Sequence, residues 1–182
     1  MKNEINRIAD RLVKAFNTNT VINPIPVKYC KNINLANKLR KLCEDQIKDE
    51  TIGIKAGGTG IQALKKLKEK EPFTAKVFKK RLVKSGQKVK INQHTKGIEV
   101  EVYYFIKKSF FDYKGKVTKS NVTKFIKFMG PCFEIVGFRQ RNKKFTYLGD
   151  ICGDFGFNIK FVVGRKTKFK KLNLNNLKTS LV

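Results

Sequence analysis

The spacing of the apolar residues changes once along this chain, near Glu50, and that change sets what it can fold into. Before it, Ile5, Ile8, Ala9, Leu12, Val13 and Phe16 recur at helical intervals, which makes one face of an amphipathic helix. The polar stretch Asn17 to Thr20 ends that helix. Next, Ile22-Asn23-Pro24-Ile25-Pro26 must be extended, because each proline fixes its own φ and biases its predecessor away from α. It reads as a connector packed on the body. A second helix follows, with Asn34 as its N-cap and Leu35, Leu39, Leu42, Cys43 and Ile47 on the buried face.

Beyond Glu50 the pattern becomes short extended runs broken by glycine. Thr51 to Ala56 reads as a strand that turns through Gly57-Gly58-Thr59-Gly60 into a brief helix carrying Ile61, Leu64 and Leu67. A glycine-rich strand-to-helix turn raises the question of phosphate binding. These glycines fit neither G-x-G-x-x-G nor a Walker A pattern, so a tight turn is the better reading. Further strands are expected at Lys76 to Phe78, Val89 to Ile91, Ile98 to Ile106, Cys132 to Val136 and Ile159 to Val163. The spacing of Val122, Phe125, Ile126 and Met129 predicts a helix over Thr118 to Met129, stopped by Gly130-Pro131. Helices first and a mostly β body after them give an α+β architecture, with residues 1–50 a helical segment and 51–182 the body.

Composition narrows the function classes. A length of 182 residues suits one domain, and 41% apolar content with 15 phenylalanines can fill a core. The longest apolar runs are a few residues, and Met1 to Phe16 is charged throughout, so neither a membrane span nor a secretory signal is expected and a cytoplasmic location is the default. Cys30, Cys43, Cys132 and Cys152 are widely spaced beside a single histidine, His94, which argues against a zinc or disulfide framework. Cys43 and Cys132 stand where small buried apolar residues are expected.

The formal charge is +27, from 41 Lys plus Arg against 14 Asp plus Glu. Only seven of the bases are arginine, and the lysines occupy nearly all polar positions instead of one element. A phosphate-tracking surface should concentrate its bases and favour Arg forks. Salt-dependent adhesion to polyanions is expected, but no specific nucleic-acid partner. A basic nucleic-acid-binding module, supported by runs such as Lys107-Lys108-Ser109-Phe110-Phe111, is an alternative from a different class.

Within Ile98 to Ile106 the residues Ile98, Val100, Val102, Tyr104 and Ile106 alternate with Glu99, Glu101, Tyr103 and Phe105, so the two sets leave opposite faces. Glu99 and Glu101 thus share a face with Cα atoms about 6.6 Å apart. Alone, such a pair is usually a solvated surface. Glu134 shifts the balance, because it lies inside the apolar run Pro131 to Gly137, where an unpaired carboxylate would cost several kcal/mol. Three carboxylates without a histidine pair favour a hard divalent cation, Mg²⁺ or Mn²⁺. Lys55 sits in the apolar strand entering the glycine turn. Pointing inward beside a cation it could transfer protons near neutral pH; pointing outward it simply meets water, and the pattern does not separate the two.

These residues resemble a known family. Gly53-x-Lys55-x-Gly57-x-Thr59, Glu71-Pro72, Gly97-Ile98-Glu99-Val100-Glu101 and Pro131-Cys132-Phe133-Glu134-Ile135-Val136-Gly137-Phe138-Arg139 are similar, in order and spacing, to the 2-keto-4-pentenoate hydratase and 4-oxalocrotonate decarboxylase family of the fumarylacetoacetate hydrolase superfamily. Leu148-Gly149-Asp150-Ile151-Cys152-Gly153-Asp154 and Phe161-Val162-Val163-Gly164 resemble its next block.

The resemblance implies a mixed β-roll whose magnesium-type ion is held by Glu99, Glu101 and Glu134, with Lys55 as active-site lysine and Asp154 as an acid near the substrate pocket. It implies a hydratase or decarboxylase acting on a small 2-hydroxydienoate, or its 2-oxo tautomer, from aromatic-compound breakdown. An acylpyruvate-type C–C hydrolase of the same superfamily and an inactive member that keeps the fold are the alternatives. This sequence departs from the family at Phe73-Thr74-Ala75, where many relatives carry an acid, and it ends at Val182, where members continue. An incomplete roll or a homo-oligomer that covers an open sheet edge is therefore expected.

Overall fold

The computed structural model describes residues 3–91 and 94–171. Helix α1 (Glu4–Thr18) starts at Asn3, whose side chain accepts the N–H of Asn6, and ends at Asn19 in the left-handed conformation. Its buried face is the predicted one, Ile5, Ile8, Ala9, Leu12, Val13 and Phe16. The extended connector docks on the body: Ile22 N–H donates to the Arg139 carbonyl and Ile25 N–H to the Gln140 side chain. A short helix α2 (Lys28–Lys31) precedes α3 (Ile33–Asp45). The cap of α3 is Asn32 instead of Asn34, its side chain accepting the N–H groups of both Asn34 and Leu35. Leu39 and Cys43 of α3 join the α1 face, Phe78 and Phe155 in the main core.

Strand β1 (Thr51–Gly57) pairs antiparallel with β2 (Phe73–Phe78), the two joined through the helix α4 (Ile61–Leu67). The larger sheet contains β3 (Leu82–Lys84), β4 (Thr95–Ile106), β5 (Ile126–Gly137) and β6 (Asn158–Val163) in the order β3-β6-β5-β4, with the short β7 (Thr167–Lys168) also pairing β5. The β3–β6 pair is parallel and the other pairs are antiparallel, so the sheet is mixed. Helix α5 (Leu148–Cys152) packs between, placing Leu148 and Cys152 against Ala36, Phe73 and Ala75.

Two expectations fail. Val89 to Ile91 forms no strand: lysines flank Val89 and Ile91 is exposed. Thr118 to Met129 is not a helix but a 3-10 turn, Val122–Phe125, running into β5 at Ile126. Gly130-Pro131, read as a helix stop, lies inside that strand. The ring of Tyr103 lies where a Cβ on Gly130 would stand, at 2.6 Å. Pro131 falls where β6 has ended and β7 has not begun, so its missing N–H leaves no partner waiting, while its carbonyl accepts from Gly164 N–H.

Candidate metal centre

The β4–β5 register builds the site. Glu99 stands directly opposite Glu134, and Glu101 opposite Cys132. Directly opposed residues of an antiparallel pair share a face, so three carboxylates and a thiol occupy the corners of one small rectangle. One oxygen from each of Glu99, Glu101 and Glu134 lies within 4.8 Å of the other two. Glu99 and Glu101 are exposed because β4 is the last strand of the sheet, whereas Glu134, one strand further in, is only 2% exposed.

Lys55 of β1 points inward and closes the site from the second sheet. Its Nζ donates to both carboxylate oxygens of Glu134, at 2.6 and 2.8 Å. Burial pushes the Glu134 carboxyl up to about 7 despite the opposing pull of Lys55, and the charges of Glu99 and Glu101 add to the rise. Glu101 is raised in the same direction, first by burial and then by Glu99. The Cys132 thiol is pushed up to about 11 by burial, then by Glu134 and Glu101. Burial is the main cause of each shift, and neighbouring negative charge adds to it. Three carboxylates against one ammonium leave two negative charges over, and the donors are hard oxygens, so the residues present fit a divalent ion such as Mg²⁺ or Mn²⁺.

Asp154 is elsewhere. It is completely buried at the end of β5, where Oδ2 accepts the Arg139 N–H at 2.8 Å and Gln140 Nε2 at 3.0 Å, and Oδ1 accepts Arg139 Nη1 at 3.2 Å. Its carboxylate is occupied by this clamp. It does open an unusual turn, in which Phe155, Gly156 and Phe157 all have positive φ, 52°, 68° and 71°. A Cβ on Gly156 would lie 2.5 Å from the Ala75 Cβ and 3.6 Å from Lys55 Cδ. Asp154 thus reaches Lys55 only through this turn. In the sequence Arg139 stands at the end of a motif block and Gly156 shows only as a glycine between two phenylalanines, while nothing singles out Gln140.

In Phe73-Thr74-Ala75, the segment where many members of the resembled family carry an acid, Phe73 and Ala75 are buried against this turn and Thr74 is exposed. No family model and no curated protein sequence matches the chain. Among solved structures it is similar to 4-oxalocrotonate decarboxylase from Pseudomonas putida G7 complexed with calcium and acetate, with a TM-score of 0.72 and 16% identity. The same enzyme complexed with magnesium and adipate gives 0.69 at 16% identity. Each match covers 91% of this chain, which spans 63% and 64% of those two chains, a little under two-thirds. The chain thus shares the α+β fold seen in 4-oxalocrotonate decarboxylase.

Proposed function

We propose that this chain carries a divalent-metal-dependent lyase site of the hydratase or decarboxylase type, acting on a small 2-hydroxydienoate or 2-oxo-enoate. The observation that carries the reading is the convergence of Glu99, Glu101 and Glu134 with Lys55 hydrogen-bonded to the buried member. Glu99, Glu101 and Glu134 would hold Mg²⁺ or Mn²⁺. When bound, such an ion supplies Lewis acidity toward a carboxylate and its neighbouring 2-oxygen. Lys55 does the proton work: its Nζ is fixed beside the site by Glu134, within reach of a group seated over the glutamates, and can hand over or take up a proton there. Buried Glu134 keeps that ammonium oriented, while exposed Glu99 and Glu101 leave the approach open. Asp154 positions, through the turn it opens, and does not itself meet substrate.

No helix among the described residues is long and apolar enough to cross a membrane. A cytoplasmic homo-oligomer completes the proposal.

Titration calorimetry with Mn²⁺ and the 2-oxo acid mimic oxalate tests it. Oxalate should bind only with the ion present, and Glu101→Gln should remove both bindings. Oxalate binding that ignores the ion, or that persists unchanged in Glu101→Gln, would sink the reading. With binding established, loss of the conjugated absorbance of a 2-oxo-enoate with or without CO₂ release separates decarboxylation from hydration.

A further inference from the structure

The bases are spread along the sequence, but the acids are not spread over the fold. Between residues 107 and 127 seven lysines are exposed, and between 165 and 171 four lysines and Arg165, against one exposed carboxylate, Asp112. The other acids of this half, Glu134, Asp150 and Asp154, are buried. The segments that carry most of these bases belong to the far end of the β4–β5 ribbon, away from the glutamates along the strands: residues 107–125 connect Ile106 to Ile126, and β7 pairs with Phe128 and Met129.

The same end carries a groove of about 160 Å³ lined by Tyr104, Ile126, Met129 and Phe169, with Thr123, Lys170 and Lys171 completing it. Its floor is apolar and two lysines stand on it. Tyr104 and Phe169 form an edge-to-face pair with centroids 6.3 Å apart. On the opposite face of the ribbon Phe105 is 55% exposed beside Phe128, and Lys166 lies over both rings at 6.0 and 5.1 Å. Exposed rings interleaved with lysines, around a slot for a flat apolar group, suit bases that are already unstacked. A duplex hides those bases. Rings on both faces of an edge ribbon suit a flexible strand that wraps it; a lipid surface would engage one face.

We infer that the far end of the β4–β5 ribbon binds single-stranded nucleic acid without sequence selection, the groove holding a base against Tyr104 and Phe169 and the surrounding lysines tracking phosphates. The groove lies on the face away from the glutamates, and Phe105 and Phe128 lie on the glutamates' face but further along the strands.

The test holds charge constant. Fluorescence anisotropy with labelled oligothymidylate, against heparin as a sulfated polyanion without bases, is read for wild type and for Tyr104→Ser with Phe169→Ser. Loss of the rings should weaken oligothymidylate roughly tenfold or more, as base stacking is lost, and leave heparin unmoved. A thermal melt checks that the variant folds. A second pair guards against misfolding: Lys170→Glu with Lys171→Glu should cost oligothymidylate far more than Lys65→Glu with Lys66→Glu on exposed α4. Binding should survive Glu101→Gln. Equal losses from the two charge-reversal pairs would reduce the binding to bulk charge and overturn the inference. So would tighter binding of blunt duplex, or ring-dependent binding to phosphatidylserine vesicles with none to oligothymidylate.

Discussion

Glu134 is the residue on which stability and chemistry meet. Its partner Lys55 is itself nearly buried, with 11% of its side chain exposed, so removing either member leaves the other without its ion pair. Glu134→Ala should therefore destabilise the metal-free protein by about 3 kcal/mol, whereas Lys55→Met combined with Glu134→Leu, which removes both charges, should recover most of the loss. Urea titration of the three proteins measures this. The pH dependence follows from the raised carboxyl. Burial favours the neutral acid in the fold, so the contribution of Glu134 is whole below its ordinary value of 4.5 and declines as pH climbs toward about 7. The melting temperature in chelator should fall across that window, Mn²⁺ should restore it at neutral pH, and Glu134→Gln should flatten the slope. A melting temperature that rises over the same window in chelator would contradict the assignment.

At the scale of elements, the turn Phe155 to Phe157 shows how backbone choice serves the site. Gly156→Ala asks a side chain to accept a φ of 68° and a Cβ to stand 2.5 Å from that of Ala75. The expected loss is about 2 kcal/mol or more, read by denaturant unfolding, and Ala75→Gly in the same chain should return the steric part but not the backbone part. Such a turn is hard to read from sequence, since its reason lies in Ala75, Phe73 and Lys55 on the other sheet. The legible elements were those whose partners are simple. Helix α1 writes its core face as a period, and β4 writes its two faces as an alternation. That alternation put Glu99 and Glu101 together; bringing in Glu134 needed the β4–β5 register, which only the resemblance could suggest. Thr118 to Met129 misled because a 3-10 turn followed by an irregular strand start reproduces spacings of three and four. Pro131 then looked like a helix stop because the gap between β6 and β7 is a property of the sheet and not of its neighbours in sequence.

At the scale of the whole molecule, charge and apolar surface oppose each other. A formal charge of +27 makes copies of this chain repel. Yet β4 is an edge strand, and no strand among the described residues pairs its outer side. On the face away from the glutamates Ile98, Val100 and Phe133 are 47%, 45% and 39% exposed, side by side by register. A long apolar edge of this kind invites pairing with another chain, which is the physical ground for the proposed homo-oligomer. Self-association should then strengthen with salt, because added ions screen the repulsion while leaving the apolar contact intact. Nucleic-acid binding at the ribbon end should move the opposite way, since salt competes with the lysines for phosphate. Sedimentation at low and high ionic strength tests the first trend, and Val100→Lys, which sets a charge on the apolar face, should leave a monomer at both. A wild-type protein that stays monomeric at every salt concentration would mean that the edge is protected by its own twist and charge, and the oligomer would have to be abandoned.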